Sequence, residues 1–252
     1  LQPADPALLA GTGSRGQLPG SLPIGQRGVI PPGAAPACVP FDLDGTLLDT
    51  APDLAGALNR LRGEHGLPAL PMAAIRPTVS HGTAAMLKAS FGLAAADTGY
   101  PALERRFLQH YCAAIAVETA LFPGMAEVLA HLEARAIPWG IVTNKPGHLT
   151  EPLLQALALW SRAVCVVSGD TLPTCKPDPA PLLYACAQAG AAPERSLYVG
   201  DAERDMLAGN RAGMITLVAE FGYLAAEDRP QDWGAAGSLQ RATDLFDWIG
   251  TA

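Results

Sequence analysis

Residues 39–50 read Val-Pro-Phe-Asp-Leu-Asp-Gly-Thr-Leu-Leu-Asp-Thr. A short apolar run ends in two carboxylates, Asp42 and Asp44, and Gly45-Thr46 turns the chain at once. An apolar run of that length, closed by a turn signal, is the pattern of a buried strand. Pro40 is the discordant residue. In a central strand its missing N–H removes one ladder hydrogen bond. That predicts either a local break in the pairing or a foreign sequence upstream of Phe41.

Outward from this stretch, short β-like runs alternate with helical ones. Strands are expected at Cys38–Phe41, Trp139–Thr143, Ala163–Val167, Leu197–Val199 and Ile215–Ala219. Helices are expected at Met125–Arg135, His148–Leu157, Pro179–Ala189 and Arg204–Ala212. Such alternation predicts an α/β fold with a parallel sheet covered on both faces. One region breaks the rhythm. Residues 53–119 carry no convincing strand, whereas Asp53–Arg62, Gly82–Phe91 and Leu103–Val117 read as helices. The expected fold is a Rossmann-like parallel sheet core, residues 37–52 and 120–252, with an inserted α-helical cap domain over 53–119. The insert should lie over the C-terminal edge of the sheet, where α/β proteins bind ligands.

Residues 1–36 are rich in Pro and Gly and hold only three charged residues, Asp5, Arg15 and Arg27. That composition predicts a flexible tail. Within it Gly11-Thr12-Gly13-Ser14-Arg15-Gly16 matches a dinucleotide fingerprint, but no strand precedes it, and Pro19 and Pro23 follow. Without the strand–turn–helix context the match is rejected.

The chain has 252 residues and a net charge of −7. It lacks the Lys/Arg clusters that a nucleic-acid surface needs. Its five cysteines are widely spaced, with no C-x-x-C or Cys/His metal pattern. They predict reduced thiols and no zinc site or disulfide framework. No apolar stretch is long enough to span a membrane, and no secretory signal opens the chain. The expectation is a soluble, cytoplasmic protein, monomer or homodimer, with no nucleic-acid or membrane partner.

Four loops lie at the C-terminal ends of proposed strands: Asp42–Thr46, Thr143–Lys145, the Lys176–Pro179 turn, and Gly200-Asp201 with Asp205 following. In a parallel sheet such loops open on one edge and can converge. They supply carboxylates, a hydroxyl, an amide and an ammonium, an inventory that fits Mg²⁺-assisted phosphoryl transfer. Mg²⁺ takes hard oxygen ligands and keeps waters, so two carboxylates and a backbone carbonyl suffice. Lys176 and the metal would balance a phosphate dianion, and Thr143, Asn144 and loop N–H groups would donate to it. Asp42 could attack phosphorus, and Asp44 could serve as acid and then base.

Each feature also has a plainer reading. A lone D-x-D after a strand is commonly a turn. Thr143 and Asn144 could cap the following helix, Lys176 could be a solvated surface residue, and Asp205 could be a first-turn acid. His81 reads as structural or as a substrate contact, Trp233 as packing, and Asp49 and Asp53 as caps of the outgoing helix. No G-x-S-x-G, G-x-x-x-x-G-K-[ST] or H-E-x-x-H competes.

Taken together, Phe41–Thr46 (FDLDGT), Val142–Lys145 (VTNK), Cys175–Pro179 (CKPDP) and Val199–Asp205 (VGDAERD) resemble, in order, the four motifs of the haloacid dehalogenase-like phosphohydrolases. The resemblance covers roughly residues 37–250 and implies Mg²⁺ as cofactor and a small phosphorylated metabolite as substrate. It implies Asp42 as nucleophile and Asp44 as general acid/base. Mg²⁺ would be held by Asp42, the Asp44 carbonyl and Asp201, with Thr143, Asn144 and Lys176 on the phosphate and Asp205 behind the metal site or Lys176. Dehalogenases of the superfamily lack the second acid, so Asp44 favours a phosphatase. The insert and "DLDGTLLDTAPDL" are similar to phosphoglycolate phosphatases, although Val79-Ser80-His81-Gly82 departs from their Gly-Asn-Gly-like cap turn. Phe221–Ala235 resembles N-acetylmuramic acid 6-phosphate phosphatases. A phosphomutase and a non-catalytic phosphate-binding protein remain as alternatives.

Overall fold

The structure, a computed structural model, describes residues 34–250. The tail expected over residues 1–36 lies outside them except for 34–36, and the glycine-rich match at 11–16 lies wholly outside.

Among the described residues, six parallel strands form the core sheet in the order β5-β4-β1-β6-β7-β8. They are β1 (Val39–Phe41), β4 (Trp139–Val142), β5 (Val166–Val167), β6 (Leu197–Gly200), β7 (Ile215–Ala219) and β8 (Gly237–Leu239). Strands β1, β4, β6 and β7 are buried along their whole length, so each reads as an unbroken apolar run. Alternation along β6 shows the two faces. Leu197 and Val199 join one apolar cluster with Val128 and Leu132 of α5 (Met125–Ala134), while Tyr198 joins another with Leu182 of α7 (Ala180–Gln188) and Ala208 of α8 (Glu203–Arg211).

Pro40 keeps its place in this sheet at a defined cost. On the β4 side the register runs unbroken, Val39↔Trp139, Pro40↔Gly140 and Phe41↔Ile141. On the β6 side only Phe41↔Val199 pairs. Leu197 N donates to the Cys38 carbonyl (3.1 Å) and Asp42 N to the Val199 carbonyl (2.9 Å), so alternate residues of β1 face β6. Pro40 falls in that series. Its missing N–H therefore removes one bond towards the Leu197 carbonyl and leaves the rest of the ladder standing.

Between β1 and β4 the chain leaves the sheet. Strands β2 (Leu48–Asp49) and β3 (Ala120–Leu121) pair antiparallel as the stem of an insert made of α1 (Ala51–Glu64), α2 (Met72–Val79), α3 (Gly82–Phe91) and α4 (Tyr100–Cys112). Leu54, Leu58 and Leu61 of α1 and Tyr100, Leu103, Phe107 and Tyr111 of α4 are buried at helical spacing, and these stripes join one core. Asp53 closes the base. Its carboxylate accepts from Val117 N (3.0 Å), Glu118 N (3.0 Å), Thr119 N (2.9 Å) and the Thr119 hydroxyl (2.7 Å). The expected capping role of Asp53 is thus corrected, and so is that of Asp49, which accepts from the Tyr223 hydroxyl (2.8 Å) and pairs with Arg76 (3.0 Å).

Sequence patterning misses α2 because Pro77 lies inside it, and a proline removes an intrahelical bond. It also misses β8, whose Gly-Ser-Leu has no apolar run, and the two-residue ribbon strands. Trp233 is buried against Met206 and Val218, a packing role.

Candidate active site

The loops after β1, β4, β5 and β6 meet on one edge. At their centre lies Lys176, fully buried. Its Nζ donates to Asp42 Oδ1 (2.7 Å), the Val142 carbonyl (2.8 Å) and the Tyr198 hydroxyl (2.8 Å), and sits 2.7 Å from Asp205 Oδ1. A solvated surface lysine is excluded. Burial raises the Asp42 carboxyl above the ordinary aspartate range, and the Lys176 charge offsets only part of that rise. Asp205 is held by the Ala202 N–H (3.0 Å) as well as by Lys176, so the first-turn acid looks back into the site.

Asp201 lies beside this pair. Its Oδ2 accepts from the Ser80 hydroxyl (2.7 Å) and the Tyr223 N–H (3.0 Å), and its Oδ1 is 3.5 Å from the Thr46 hydroxyl. Burial first, and then the charges of Asp42 and Asp205, push its carboxyl up to about 7. Gly45 and Gly222 allow this crowding. Gly45 has φ +88°, and a Cβ there would stand 2.1 Å from Asp201 Oδ2. A Cβ on Gly222 would stand 2.5 Å from the Asp201 Cβ.

Oxygen atoms of Asp42, Asp201 and Asp205 lie within 4.8 Å of one another, all three residues buried. Three buried carboxylates against Lys176 and the nearby Arg204 charge still leave excess negative charge and an all-oxygen donor set. Those are the features of a hard divalent cation site. The Asp44 carboxylate is not in this group. It turns to the Thr50 hydroxyl (2.6 Å) and Lys145 Nζ (2.9 Å), which leaves its backbone carbonyl for any part in metal binding. Lys145 packs over the Tyr111 ring (4.7 Å). Burial opposes its charge, yet Asp44 and Tyr111 hold its pKa above the ordinary lysine value.

A cavity of about 320 Å³ opens beside these groups, lined by Asp42, Asp44, Thr143, Lys145, His81 and Arg204 among others. Thr143 and Asn144 do not cap the next helix. The Thr143 hydroxyl accepts from Lys145 N (3.1 Å). Asn144 clamps the Lys176 backbone, donating to its carbonyl (2.9 Å) and accepting from its N–H (3.0 Å). Its side chain is therefore committed to the lysine loop. His81 is exposed at the start of α3 and reaches the cavity from the insert.

Several residues in this site escaped sequence reading. Tyr198 sits in what reads as a plain apolar strand, and Ser80 and Arg204 lie in stretches whose neighbours draw the attention. Lys145 was visible within Val142–Lys145, but its pairing with Asp44 depends on the fold.

The family model for haloacid dehalogenase-like hydrolases matches residues 39–219. The chain belongs to that family. This haloacid dehalogenase-like hydrolase is 40% identical over 212 residues to an N-acetylmuramic acid 6-phosphate phosphatase of Pseudomonas aeruginosa, covering 84% of this chain and 94% of that one. It is 41% identical over 212 residues to a phosphoglycolate phosphatase of Xanthomonas campestris pv. campestris, covering 84% and 96%. Among solved structures it superposes on a protein described as a predicted phosphoglycolate phosphatase from Haemophilus somnus, with a TM-score of 0.75 and 25% identity over 85% of this chain and 98% of that one. Among the described residues no helix is long and apolar enough to cross a membrane.

Proposed function

We propose that this hydrolase cleaves a phosphomonoester through a phosphoryl group carried on Asp42. The observation that supports it most is the Asp42–Lys176–Asp205 cluster, buried beside a cavity that Asp42 and Asp44 both line. Lys176 occupies Asp42 Oδ1, so the other carboxylate oxygen attacks phosphorus. The P–O bond to the substrate alcohol breaks, and Asp44 protonates the departing oxygen. In the second half, water attacks the phosphoryl group, the P–O bond to Asp42 breaks, and Asp44 takes the water's proton. Thr143, Lys176 and the Asn144 N–H hold the phosphoryl oxygens, and His81 approaches from the insert.

Mg²⁺ is the cation that the carboxylate group fits. Asp42, the Asp44 carbonyl and Asp201 would hold it with Asp205 behind them, and it would neutralise charge on the phosphoryl oxygens. Residues 53–119 act as a cap that excludes water and carries specificity. Three buried free cysteines suit a reducing, cytoplasmic setting.

The names of the relatives support two substrates, 2-phosphoglycolate and N-acetylmuramic acid 6-phosphate. At about 320 Å³ the cavity lies at the lower edge of the range of sites that enclose drug-sized ligands. A side-by-side kcat/KM comparison of the two substrates tests the choice. Asp42→Asn tests the chemistry: the folded variant should release no phosphate from either ester with Mg²⁺ present, and full activity would end the reading.

A further inference from the structure

Two permanent cations line the main cavity, Lys145 and Arg204. Lys145 is paired with Asp44. Among the described residues Arg204 has no partner at contact distance; burial opposes its charge, yet the charges of Asp205, Asp42 and Asp201 act on it from farther away and hold its pKa above the ordinary arginine value. Its Nε is sealed from solvent and has no hydrogen-bond partner, and its guanidinium makes no ion pair among the described residues. Native proteins rarely bury a polar group in this state, and a charged one still less often.

Its place in the fold explains the isolation. Arg204 is the second residue of α8 and Asp205 the third. Successive side chains on a helix point in directions about 100° apart. Asp205 turns inward to Lys176 and Tyr198. Arg204 turns to the wall that separates the main cavity from a second chamber of about 210 Å³, and Ser80 and His81 of the insert share that wall. Arg204 thus lines both chambers, at the junction of sheet edge and insert.

In the proposed function the phosphate takes its donors from Thr143, Lys176 and the Asn144 N–H. An arginine is a planar fork suited to two oxygen acceptors at once, and it loses little solvation when such a partner arrives. Both candidate substrates of the proposed function carry a carboxylate besides the phosphate. We propose that Arg204 is the anchor for that carboxylate, so that the enzyme selects phosphomonoesters of carboxylic acids. This assignment rests on the phosphatase reading. It adds a residue that discriminates among substrates without touching the phosphorus.

Two matched pairs test it on the full chain with Mg²⁺: 2-phosphoglycolate against ethyl phosphate, and N-acetylmuramic acid 6-phosphate against N-acetylglucosamine 6-phosphate. In at least one pair the unaltered enzyme should prefer the carboxylated member by tens of fold in kcat/KM, the size of a charge-assisted hydrogen bond. Arg204→Gln should collapse that preference to within about threefold, mostly through KM on the carboxylated ester, and Arg204→Lys should restore part of it. An equal loss on both members of the pair would overturn the proposal and make Arg204 a phosphate ligand or a counter-charge for the aspartates. Absence of preference in the unaltered enzyme would also overturn it, while turnover of both esters leaves the phosphatase reading intact. Failure to hydrolyse any of the four esters would remove both. The comparison in the unaltered enzyme needs no variant, so the proposal stays exposed even if Arg204→Gln does not fold.

Discussion

Replacing Lys176 by Met keeps the length of the side chain and removes one charge. Four polar groups lose a partner: Asp42, Asp205, the Val142 carbonyl and the Tyr198 hydroxyl, of which Asp205 keeps the Ala202 N–H and the Tyr198 hydroxyl still donates to the Val142 carbonyl and Asp205. Both carboxylates are buried, so neither can recover solvation by a small movement. Removing one partner of a buried ion pair costs about 3–5 kcal/mol, because a charge is left uncompensated. That is a large fraction of the roughly 5–15 kcal/mol that holds a typical domain together. For a domain of this size each kcal/mol lowers Tm by about 2–4 °C, so Lys176→Met should melt roughly 6–20 °C lower. Urea unfolding in EDTA is the assay, since a divalent cation in the aspartate cluster would mask the loss. Adding Asp205→Asn should return at least about 1 kcal/mol, because one stranded carboxylate is gone. A loss below about 1 kcal/mol in the single variant, or strict additivity in the double, would refute the view that this lysine balances both aspartates.

Three other outcomes follow from particular contacts. Pro40→Val returns an N–H facing the Leu197 carbonyl and should raise the urea midpoint by an amount equivalent to about 0.5–1.5 kcal/mol; an unchanged midpoint would mean that the β6 side has no acceptor waiting. Asp53→Ala strands the N–H groups of residues 117–119 and should cost about 2–3 kcal/mol, with faster amide exchange at the insert's base than elsewhere. Asp201 binds a proton in the folded, metal-free chain up to about 7, whereas the unfolded chain releases it near a pH of about 4. Folded protein therefore holds more protons across that window, and stability in EDTA falls as pH rises through it. Asp201→Asn should flatten the slope between about pH 4 and about pH 7, and a steeper slope would contradict the assignment.

Much of this molecule is legible locally. Strands β4, β6 and β7 are continuous apolar runs because both faces of the sheet are covered. Asp42, Asp201 and Thr143 stand where β-like runs stop, with Lys176 several residues beyond its own run, and a parallel sheet brings such ends to one edge. Residues whose role depends on direction are not legible in this way. Asn144 looks like a phosphate donor or a helix cap, but the Lys176 backbone lies within reach and takes both ends of its amide. Asp53 looks like a helix cap, but the returning chain at 117–119 presents it with three N–H groups. Pro77 and the short Gly-Ser-Leu strand break local rules that packing overrides.

By itself the sequence determined the α/β class, the helical insert and the chemistry available at the sheet edge. Hydrophobic period and turn residues act over a few positions and are written in order along the chain. Only the tertiary structure decided which groups face one another: that Lys176 lies between Asp42 and Asp205, that Asp44 turns to Lys145 and away from the aspartate cluster, and that Arg204 reaches the cavity with its Nε lacking a hydrogen bond. Those outcomes depend on segments more than a hundred residues apart being packed to hydrogen-bond distance. In a low-dielectric interior that packing decides which charges are balanced at contact distance and which only from farther away.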